Sequence, residues 1–354
     1  MDYRVKKFFT NELMSWNATE NGRKMPWKGE KNPYRIWLSE IILQQTRVGQ
    51  GWDYYLKFIE KYPTVQHLAE APEKEVFKLW EGLGYYSRCK NLIVSARYIT
   101  KDLQGIFPHT YETLLQLKGV GPYTAAAIAS FAYNLPNAVV DGNVYRILSR
   151  YFGINIPIDS NEGKKYFASL ATSLLDRSQP AVYNQAIIDL GATICKPLPL
   201  CNVCPLQMKC FAFKTNTIFK YPLKEKKIIK KVRWFYYLVA EFNDQLLIRK
   251  RTAKDIWQNL HDMILMESEH EMSTEEIRRC DLFKKMTILN NHFEISELYQ
   301  QQLTHQTIKA RFIYLPLVEL PSLEEYQLEK RSEISRLAFP KIITTYFEKS
   351  GVLL

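Results

Sequence analysis

The sequence predicts a mainly helical domain followed by a smaller domain that mixes helices and strands. Over residues 1–218, apolar residues recur at helical spacing, and the breaks between runs carry glycine, proline or asparagine. Residues 220–231 contain six lysines and one glutamate, a composition typical of a solvated linker. From residue 232 the pattern becomes aromatic and β-branched, as in strands. We therefore expect a helical domain at 1–218, a basic linker at 219–231 and an α+β domain at 232–354.

Composition places the chain among globular proteins and favours a polyanionic partner. Of its 354 residues, 46% are hydrophobic, which is enough to build the cores of two domains. The net charge of +11 suits nucleic acid or an acidic membrane surface. The first ten residues lack the apolar segment of a signal peptide, and the longest uncharged run, at 119–140, is interrupted by prolines. These features predict a cytoplasmic protein without a membrane segment.

Short local signals predict where individual elements begin and end. Capping residues and prolines predict helix starts at Asn32-Pro33, Pro63-Thr64, Ala71-Pro72 and Pro108-His109-Thr110. The apolar stretch between Pro122 and Pro136 predicts a buried core helix that is too short to span a bilayer. The second domain is expected to contain strands at 233–241, 245–248 and 310–318, a turn at Asn243-Asp244, and helices at 273–285 and 334–349.

Four of the six cysteines fall within residues 195–210 and predict a metal centre. They are Cys195, Cys201, Cys204 and Cys210, in the spacing C-x5-C-x2-C-x5-C. Thiolates are soft ligands, so the expected occupant is a zinc ion or an iron–sulfur cluster. Zinc knuckles usually show two close cysteine pairs, whereas here one close pair has a single cysteine on each side, which favours a [4Fe–4S] cluster. A disulfide-stapled loop is the alternative, although nothing else in the chain is typical of a secreted protein.

A turn with two glycines leads into the helix that begins near Pro122. Gly119 and Gly121 leave backbone N–H groups bare, and the helix N-terminus adds a partial positive charge. Together they suit a phosphate oxygen. The alternative is a plain corner between two helices.

Two carboxylates are candidates for acid–base chemistry. The neighbours of Glu40 three and four residues away on a helix are mainly apolar, so its carboxyl would be buried, its pKa raised and its proton available to a substrate. The alternative is a glutamate on the solvated edge of the helix. Asp141 follows an apolar pair and precedes Gly142 and Asn143, so it can cap the next helix or place a carboxylate at the mouth of a cleft.

Two further segments offer contacts to bases. Gln44, Gln45 and Thr46 end the Glu40 helix with polar groups that can reach base edges. The glycine-containing turn with Leu83 and Tyr85 offers an apolar and aromatic tip that can wedge between base pairs, or it is a packed loop.

Six segments, in this order, resemble the motifs of the helix-hairpin-helix DNA glycosylases, and among them the adenine DNA glycosylase family of the MutY type. The segments are Trp37-Leu38-Ser39-Glu40, Leu43-Gln44-Gln45-Thr46, Gly82-Leu83-Gly84-Tyr85-Tyr86, Gly119-Val120-Gly121-Pro122-Tyr123-Thr124, Val140-Asp141-Gly142-Asn143-Val144 and the cysteine group. The resemblance is strong to about residue 213 and weak after 230. It implies a mainly α, two-lobed helix-hairpin-helix glycosylase domain with an iron–sulfur cluster loop, followed by a Nudix-like domain that recognises 8-oxoguanine.

The resemblance implies hydrolysis of the N-glycosidic bond of adenine mispaired with 8-oxoguanine or guanine in double-stranded DNA. The adenine must be flipped out of the helix, because the reacting atoms are unreachable in the base stack. Glu40 would protonate N7 of the adenine, and Asp141 would stabilise the positive charge that develops on the sugar. Tyr123 would lie beside Asp141, and Asn143 would position Glu40.

Tyr123 also bears on the type of activity. The endonuclease III type resembles this chain but carries a lysine there, which attacks the sugar as an amine. With tyrosine at this position we expect a monofunctional glycosylase. Separately, we expect a monomer that acts in the cytoplasm or on the nucleoid. The alternatives are a bifunctional pyrimidine glycosylase of the endonuclease III type and a catalytically inactive DNA-binding protein.

The resemblance assigns further DNA contacts. Trp27 and Lys28 would line the adenine pocket, and Lys28 stands where an arginine is expected, so bidentate geometry is lost there. The side facing 8-oxoguanine would be formed by Gln45, Thr46, Leu83 and Tyr85, with Tyr85 as the wedge. Lys118 replaces an expected proline in the glycine turn and adds a positive charge beside the phosphate.

In the C-terminal domain, residues 256–260 resemble a tryptophan-containing segment of the family's recognition domain. Thr304 and His305 stand in its Phe-Ser-His loop, and the hydroxyl of Thr304 can still bond to the damaged base. A glutamate-rich Nudix hydrolase motif is absent from the sequence, so we expect this domain to bind rather than hydrolyse. The five residues between the first two cysteines of the cluster loop are one fewer than usual, so the geometry of that loop should differ slightly.

Overall fold

The chain folds into two compact units. The computed structural model describes residues 3–225, 230–286 and 292–352. The first unit comprises Met1–Glu70 and Asn91–Lys227, and the second comprises Ala71–Lys90 and Ile228–Leu354. In the part of the chain that is described, no helix has both the length and the apolar character needed to cross a membrane.

Helices dominate the chain as far as residue 214, as the sequence predicts. They are α1 (Tyr3–Thr19), α2 (Pro33–Leu43), α3 (Val48–Lys61), α4 (Val65–Glu70), α5 (Glu73–Trp80), α6 (Tyr86–Lys101), α7 (Tyr111–Leu114), α8 (Pro122–Tyr133), α9 (Gly142–Phe152), α10 (Asn161–Leu174), α11 (Pro180–Thr193) and α12 (Phe211–Lys214). Single 3-10 turns lie at Cys201–Val203, Gln207–Lys209 and Ile218–Lys220.

Local capping explains where these helices begin. The side chain of Asn32 accepts hydrogen bonds from the backbone N–H groups of Tyr34 (3.0 Å) and Arg35 (3.3 Å), and Pro33 occupies the first turn of α2. Thr110 caps α7 by the same chemistry. The four helix starts predicted from capping residues and prolines are therefore confirmed.

Buried helices bring the polar residues of the first unit together. Helix α8 is apolar on nearly every side, as expected for the uncharged run, and α2 and α11 pack against it. A second core joins α1, α9, α10 and α11 through residues such as Phe9, Leu148, Phe167 and Leu190. Consequently the ends of α2, α8 and α9 and one face of α11 are held at fixed positions.

The predicted basic linker differs from expectation at its beginning. Tyr221 is buried, and the carbonyl of Leu223 accepts a hydrogen bond from the backbone N–H of Ile158 (3.0 Å). These residues therefore belong to the packed first unit. The ring of Tyr221 is buried there, which fixes the beginning of the lysine run against the rest of the unit. Residues 226–229 of the predicted linker lie outside the described residues.

The second unit is built on a seven-stranded sheet. Its strands are β1 (Lys231–Phe242), β2 (Gln245–Lys250), β3 (His261–Ser268), β4 (Glu294–Ile295), β5 (Tyr299–Gln302), β6 (Gln306–Pro316) and β7 (Gln327–Lys330). The order is β4-β6-β1-β3-β2-β7, with β5 also paired to β6. Only β1 and β6 run parallel among the described pairs, in a long register from Lys231 beside Gln306 to Glu241 beside Pro316. The helices are α13 (Thr274–Arg279), α14 (Asp281–Met286), α15 (Arg331–Ile334) and α16 (Lys341–Ser350).

The predicted hairpin of this unit is confirmed, and two helix predictions are partly wrong. Asn243 and Asp244 both have positive φ (50° and 61°), which these residue types tolerate in a tight β-turn. The helix expected over 273–285 is interrupted at Cys280, whose backbone is extended. The helix expected over 334–349 starts only after Pro340, because proline disfavours a helical conformation in the residue before it.

Residues 71–90 belong to the second unit, although the sequence predicts them within the helical domain. The ammonium of Lys78 donates to the carbonyl of Leu337 (3.0 Å), and the backbone N–H of Phe339 donates to the carboxylate of Glu81 (2.8 Å). These contacts join positions that are more than 250 residues apart along the chain. Sequence periodicity cannot reveal such pairings, since it reports only local structure.

Candidate active site

A cavity of about 370 Å³ lies in the first unit among α2, α8, α9, α11 and the irregular segment 21–31. Seven residues predicted from the sequence line it: Trp27, Lys28, Glu40, Thr46, Tyr123, Asp141 and Asn143. The structure therefore brings together four segments that lie far apart along the chain.

Glu40 is the buried carboxyl of this cavity. It lies on α2 with 8% of its surface exposed, which confirms the buried interpretation over the solvated one. Burial raises its pKa to about 7, a hydrogen bond from the Tyr123 hydroxyl opposes that shift, and the nearby charge of Asp141 adds to it. A carboxyl with this pKa is substantially protonated at neutral pH and can act as a general acid.

Asp141 differs from Glu40 because three hydrogen-bond donors surround its carboxylate. It caps α9, and one carboxylate oxygen accepts from the backbone N–H groups of Asn143 and Val144, both at 2.8 Å. The other oxygen accepts from the Asn143 side-chain amide at 2.6 Å. Burial raises the pKa of Asp141, while these bonds and the guanidinium of Arg146 lower it. Burial is the largest of these effects and the pKa of Asp141 is raised, although the three donors favour its ionised form.

The structure changes one predicted contact and adds to another. Asn143 donates to Asp141 rather than positioning Glu40, because the helix-capping geometry holds both side chains at the same helix end. Tyr123, on the first turn of α8, bonds to Glu40 and lies near enough to Asp141 for that charge to act on it. Burial and both carboxylates raise the pKa of Tyr123 well above its ordinary value, so its hydroxyl remains a donor.

Arg146 connects this cavity to the cysteine loop, and its one sequence signal is its position three residues after Asn143. Its guanidinium donates to the side-chain oxygen of Asn143 (2.8 Å) and to the carbonyls of Gly191 (2.7 Å) and Cys195 (2.6 Å). Arg146 therefore links the start of the cysteine loop to Asn143, and Asn143 in turn bonds to Asp141. The backbone of α11 comes so close here that a Cβ on Gly191 would lie 2.5 Å from that of Asn143.

A second unpredicted group lies in the cavity wall around Asp189. This carboxylate of α11 is completely buried and accepts hydrogen bonds from Arg23 (2.7 Å) and Lys28 (2.9 Å). It also accepts from the side-chain amides of Asn21 (2.9 Å) and Gln185 (2.8 Å). The available sequence signal is a Gln-x-x-x-Asp pair on an otherwise apolar helix.

The four clustered cysteines line a second cavity in the first unit. All six cysteines of the chain are free thiols, so the disulfide alternative is wrong. Arg150 lies behind the loop, contacting the sulfur of Cys195 (3.5 Å) and the carbonyls of Lys196 (2.7 Å) and Pro197 (3.0 Å). Within the described residues, no three His, Cys, Asp or Glu side chains form a group that could hold a metal ion.

Burial and the mutual proximity of these thiols govern their acidity. Burial raises the pKa of Cys204 to about 12, and the neighbouring Cys195, Cys210 and Cys201 contribute to that rise. The phenol of Tyr151 is buried against the same cavity, and its hydroxyl has no hydrogen-bond partner among the described residues.

The glycine turn forms as predicted. Gly119 has a positive φ of 79°, and a Cβ there would lie 2.9 Å from that of Asn91, so only glycine fits without a shift. Gly121 precedes α8 and faces open space. Lys118 is exposed, and its carbonyl accepts from the hydroxyl of Ser95 (3.0 Å).

The remaining predicted residues fall in both units. Gln44 donates to the hydroxyl of Thr124 (3.2 Å), and Gln45 is exposed. In the second unit, Tyr85 is 40% exposed and its hydroxyl hydrogen-bonds to that of Thr304, next to the exposed His305. Leu83 of the predicted tip is buried, so the tip presents Tyr85 rather than both side chains.

Comparisons with known proteins agree with this fold. Residues 38–170 match the HhH-GPD superfamily of base excision DNA repair proteins. A thermostable thymine-DNA glycosylase has the same fold, with a TM-score of 0.56 and 30% identity over 60% of this chain and 98% of that one. Endonuclease III in a non-covalent DNA complex shares the fold at a TM-score of 0.51 and 19% identity over 61% of this chain and 98% of that one. The helical unit is thus that of a base-excision DNA glycosylase.

Relatives of known activity identify the family of DNA glycosylases to which the chain belongs. The chain is 33% identical to the adenine DNA glycosylase of Buchnera aphidicola subsp. Baizongia pistaciae over 87% of this chain and 86% of that protein. It is 43% identical to the Homo sapiens adenine DNA glycosylase over 58% of this chain and 39% of that protein. The chain belongs to the adenine DNA glycosylase family of the HhH-GPD superfamily.

Proposed function

We propose that this chain is a monofunctional DNA glycosylase that hydrolyses the N-glycosidic bond of adenine mispaired with 8-oxoguanine or guanine. The observation that carries the proposal is the pair of unlike carboxyls in one cavity. Glu40 is buried with a pKa of about 7, whereas the carboxylate of Asp141 accepts three hydrogen bonds at the start of α9, which favour its ionised form. Glycosidic hydrolysis requires one carboxyl that donates a proton and a second that stays ionised. Family membership supports adenine as the base.

The reaction proceeds with each group in a defined protonation state. The flipped adenine enters the cavity, and protonated Glu40 donates its proton to N7. The bond between N9 and C1′ breaks, and its electron pair leaves with the base. The Asp141 carboxylate stabilises the resulting sugar cation. Water then attacks C1′, and its released proton returns to the carboxylate of Glu40, so the enzyme regains its starting state.

The partners of the two lysines that line the cavity favour hydrolysis over lyase chemistry. Lys31 donates to the carbonyl of Phe131 (3.1 Å). Tyr123 occupies the position where a nucleophilic lysine would be expected in a lyase, and its phenol donates to Glu40. Lys28 also lines the cavity, but its ammonium is paired with the buried carboxylate of Asp189 at 2.9 Å. A lysine that attacks the sugar must leave its partner, and leaving this ion pair would strand the completely buried carboxylate of Asp189.

The test is a single-turnover assay on a duplex with one adenine opposite 8-oxoguanine, divided into alkali-treated and untreated samples. We expect strand cleavage only after alkali, and no enzyme–DNA adduct when borohydride is present. Glu40→Gln should bind this duplex and excise nothing. Strand cleavage without alkali would support the endonuclease III type instead. Tight binding without an abasic product from the wild-type protein would support an inactive DNA-binding protein.

We further propose that Cys195, Cys201, Cys204 and Cys210 hold a [4Fe–4S] cluster. The donor set fits such a group: four free thiols line one cavity, and the buried Arg150 lies against it to offset negative charge. A zinc ion on the same thiols is the alternative, although no three of these described side chains form a group that could hold a single metal ion. When bound, the cluster would cross-link the loop. Iron and sulfide analysis of the purified protein, with visible absorption, distinguishes the two.

The remaining roles complete the proposal. Trp27 and Lys28 form part of the adenine pocket, and the turn with Lys118, Gly119 and Gly121 binds a DNA phosphate.

The second unit acts as the Nudix-like recognition domain. In the second unit, Tyr85, Thr304 and His305 contact 8-oxoguanine, with Leu83 buried in the same turn. In the first unit, Gln45 and Thr46 provide separate polar contacts to DNA. The monomeric state and the location in the cytoplasm or on the nucleoid stay predictions. Excision rates compared for 8-oxoguanine and guanine opposite adenine, with and without Thr304→Val, test the recognition role.

A further inference from the structure

One wall of the base cavity has neither helix nor strand and depends on a single carboxylate for its shape. This wall is the segment 21–31, which contributes Arg23, Trp27 and Lys28 to the cavity. Three donors of the segment, the side chains of Asn21, Arg23 and Lys28, converge on Asp189. Lys28 also donates to the backbone carbonyl of Arg23 (3.0 Å), which closes the segment into a loop.

The hydrogen-bonding capacity of Asp189 is used on both oxygens. One oxygen accepts from Arg23 and Gln185, and the other accepts from Asn21 and Lys28. The side chain is completely buried on α11, so water cannot replace a lost partner. The carboxylate therefore holds two long, flexible cations in fixed positions.

Those two cations share the cavity with the reacting groups. Its charged and titratable members are Arg23, Lys28, Glu30, Lys31, Glu40, Tyr123 and Asp141, and Arg146 lies behind Asp141. The charge of Arg23 already reaches Tyr123, whose pKa it lowers, and Tyr123 bonds directly to Glu40. Glu30 is paired with Arg35 (3.3 Å), and Lys31 donates to the carbonyl of Phe131 (3.1 Å). Asp141 and Glu40 are thus the carboxyls toward which a released cation would turn.

We propose that Asp189 is a positioning residue that holds Arg23 and Lys28 in the cavity wall and away from Glu40, so that Glu40 keeps its proton. The inference rests on the proposed function of Glu40 as the acid. A cation that moves beside Glu40 favours the ionised carboxylate, which cannot protonate the base. The carboxylate of Asp189 therefore maintains both the shape of the adenine pocket and the acidity of a group it does not touch.

The experiment compares Asp189→Asn, which removes the charge, with Asp189→Glu, which keeps it. Excision by the wild-type protein should fall as pH rises through the pKa of Glu40. In Asp189→Asn we expect this fall to begin about one pH unit lower, since a nearby cation lowers a carboxyl pKa by about one to three units. Asp189→Glu should keep the wild-type pH position even where its rate is reduced. DNA affinity should change less than about twofold in both.

A double variant and a control separate charge from folding. Asp189→Asn with Lys28→Gln removes a released cation and should move the pH profile back toward the wild type. Asp176→Asn, a half-buried carboxylate that bonds to Ser178 outside the cavity, should leave rate and profile unchanged. The inference is overturned if Asp189→Asn lowers the rate equally at every pH, or if Asp189→Glu shifts the profile as much as Asp189→Asn. Loss of adenine excision in the wild-type protein would instead overturn the proposed function.

Discussion

The residues of the site are held in two ways, some by neighbours on the same helix and others by partners far along the chain. The burial of Glu40 follows from its apolar neighbours on one helix, and the cap at Asp141 follows from the residues beside it. Both signals are local. Asp189 and Arg146 are not predictable in this way because their partners lie far along the chain: Arg23 is 166 residues from Asp189, and Cys195 is 49 from Arg146. No periodicity or motif spacing encodes such pairs.

The buried Glu40 should make stability depend on pH. Its folded pKa of about 7 lies above the ordinary value of 4.5, so the folded state binds a proton that the unfolded state has released between these values. Stability therefore falls as pH rises from 4.5 to 7 and levels off above 7, by roughly 3 kcal/mol in all. Glu40→Gln removes this dependence. We expect its gain in thermal stability over the wild type to be larger at about pH 8 than at about pH 5. An equal difference at both pH values would mean that Glu40 titrates normally.

Tyr151 provides a residue-level test of the proposed cluster. Its buried hydroxyl has no partner among the described residues and lies in the cavity of the four cysteines. In a protein without a cluster, Tyr151→Phe should be neutral or stabilising, because it removes an unpaired polar group. With the cluster bound, the hydroxyl can donate to a ligand sulfur, and we expect Tyr151→Phe to release iron to a chelator several times faster. Unchanged iron release would show that the hydroxyl does not contact the cluster.

At the scale of elements, helix starts are predictable and helix packing is not. Caps such as Asn32 and Thr110 act within three residues, so the sequence contains the whole signal. The predicted helix at 334–349 is wrong in its first turns because Pro340 lies within that range and sets the true start. The close approach of α9 and α11 at Gly191 depends on tertiary packing, and a glycine within a helix gives no indication of what lies against it.

Gly191 offers a test of how α11 positions the reacting groups. A Cβ there would lie 2.5 Å from the Cβ of Asn143 and 3.1 Å from its Cα. The Cα belongs to the backbone, so a change of side-chain rotamer cannot relieve that contact. Gly191→Ala should therefore push the start of α9 away and weaken the bond between Asn143 and Asp141. Alanine normally stabilises a helix by about 1 kcal/mol relative to glycine, yet here we expect a net loss of about 1–3 kcal/mol.

The measurement for Gly191→Ala is chemical denaturation together with single-turnover excision. Excision should fall by more than about tenfold, with DNA binding little changed. Gly49→Ala is the matched control, because Gly49 also lies in a helix, α3, and a Cβ there meets nothing within 4 Å. That control should be as stable as the wild type or more so. A stabilised Gly191→Ala would contradict the close packing of α9 and α11.

At the scale of the whole molecule, the sequence separates a helical part from a sheet-containing part. It does not predict that residues 71–90 of the helical part belong with the sheet. A change of composition marks where β1 begins, and that prediction is confirmed. The inclusion of residues 71–90 in the second unit depends on hydrogen bonds to residues near 337–339, which composition cannot reveal. A chain truncated after residue 218 would lack the partners of α5, and we expect it to aggregate more readily than the full chain. Light scattering of the two proteins at equal concentration measures this, and equal solubility would show that α5 does not need those partners.

The net charge of +11 acts on the whole molecule and predicts how DNA binding responds to salt. Each lysine or arginine that neutralises a phosphate releases about one counterion, so the logarithm of affinity falls linearly with the logarithm of salt concentration. Lys118 is exposed beside the glycine turn, and Lys118→Ala should weaken binding and reduce the magnitude of the slope by about one. Lys165, exposed on α10, provides the control, because nothing in the proposed phosphate site involves it. Binding is measured by fluorescence anisotropy over a range of salt concentrations. If Lys118→Ala keeps the wild-type slope while Lys165→Ala lowers it, the phosphate contact lies elsewhere than at the glycine turn.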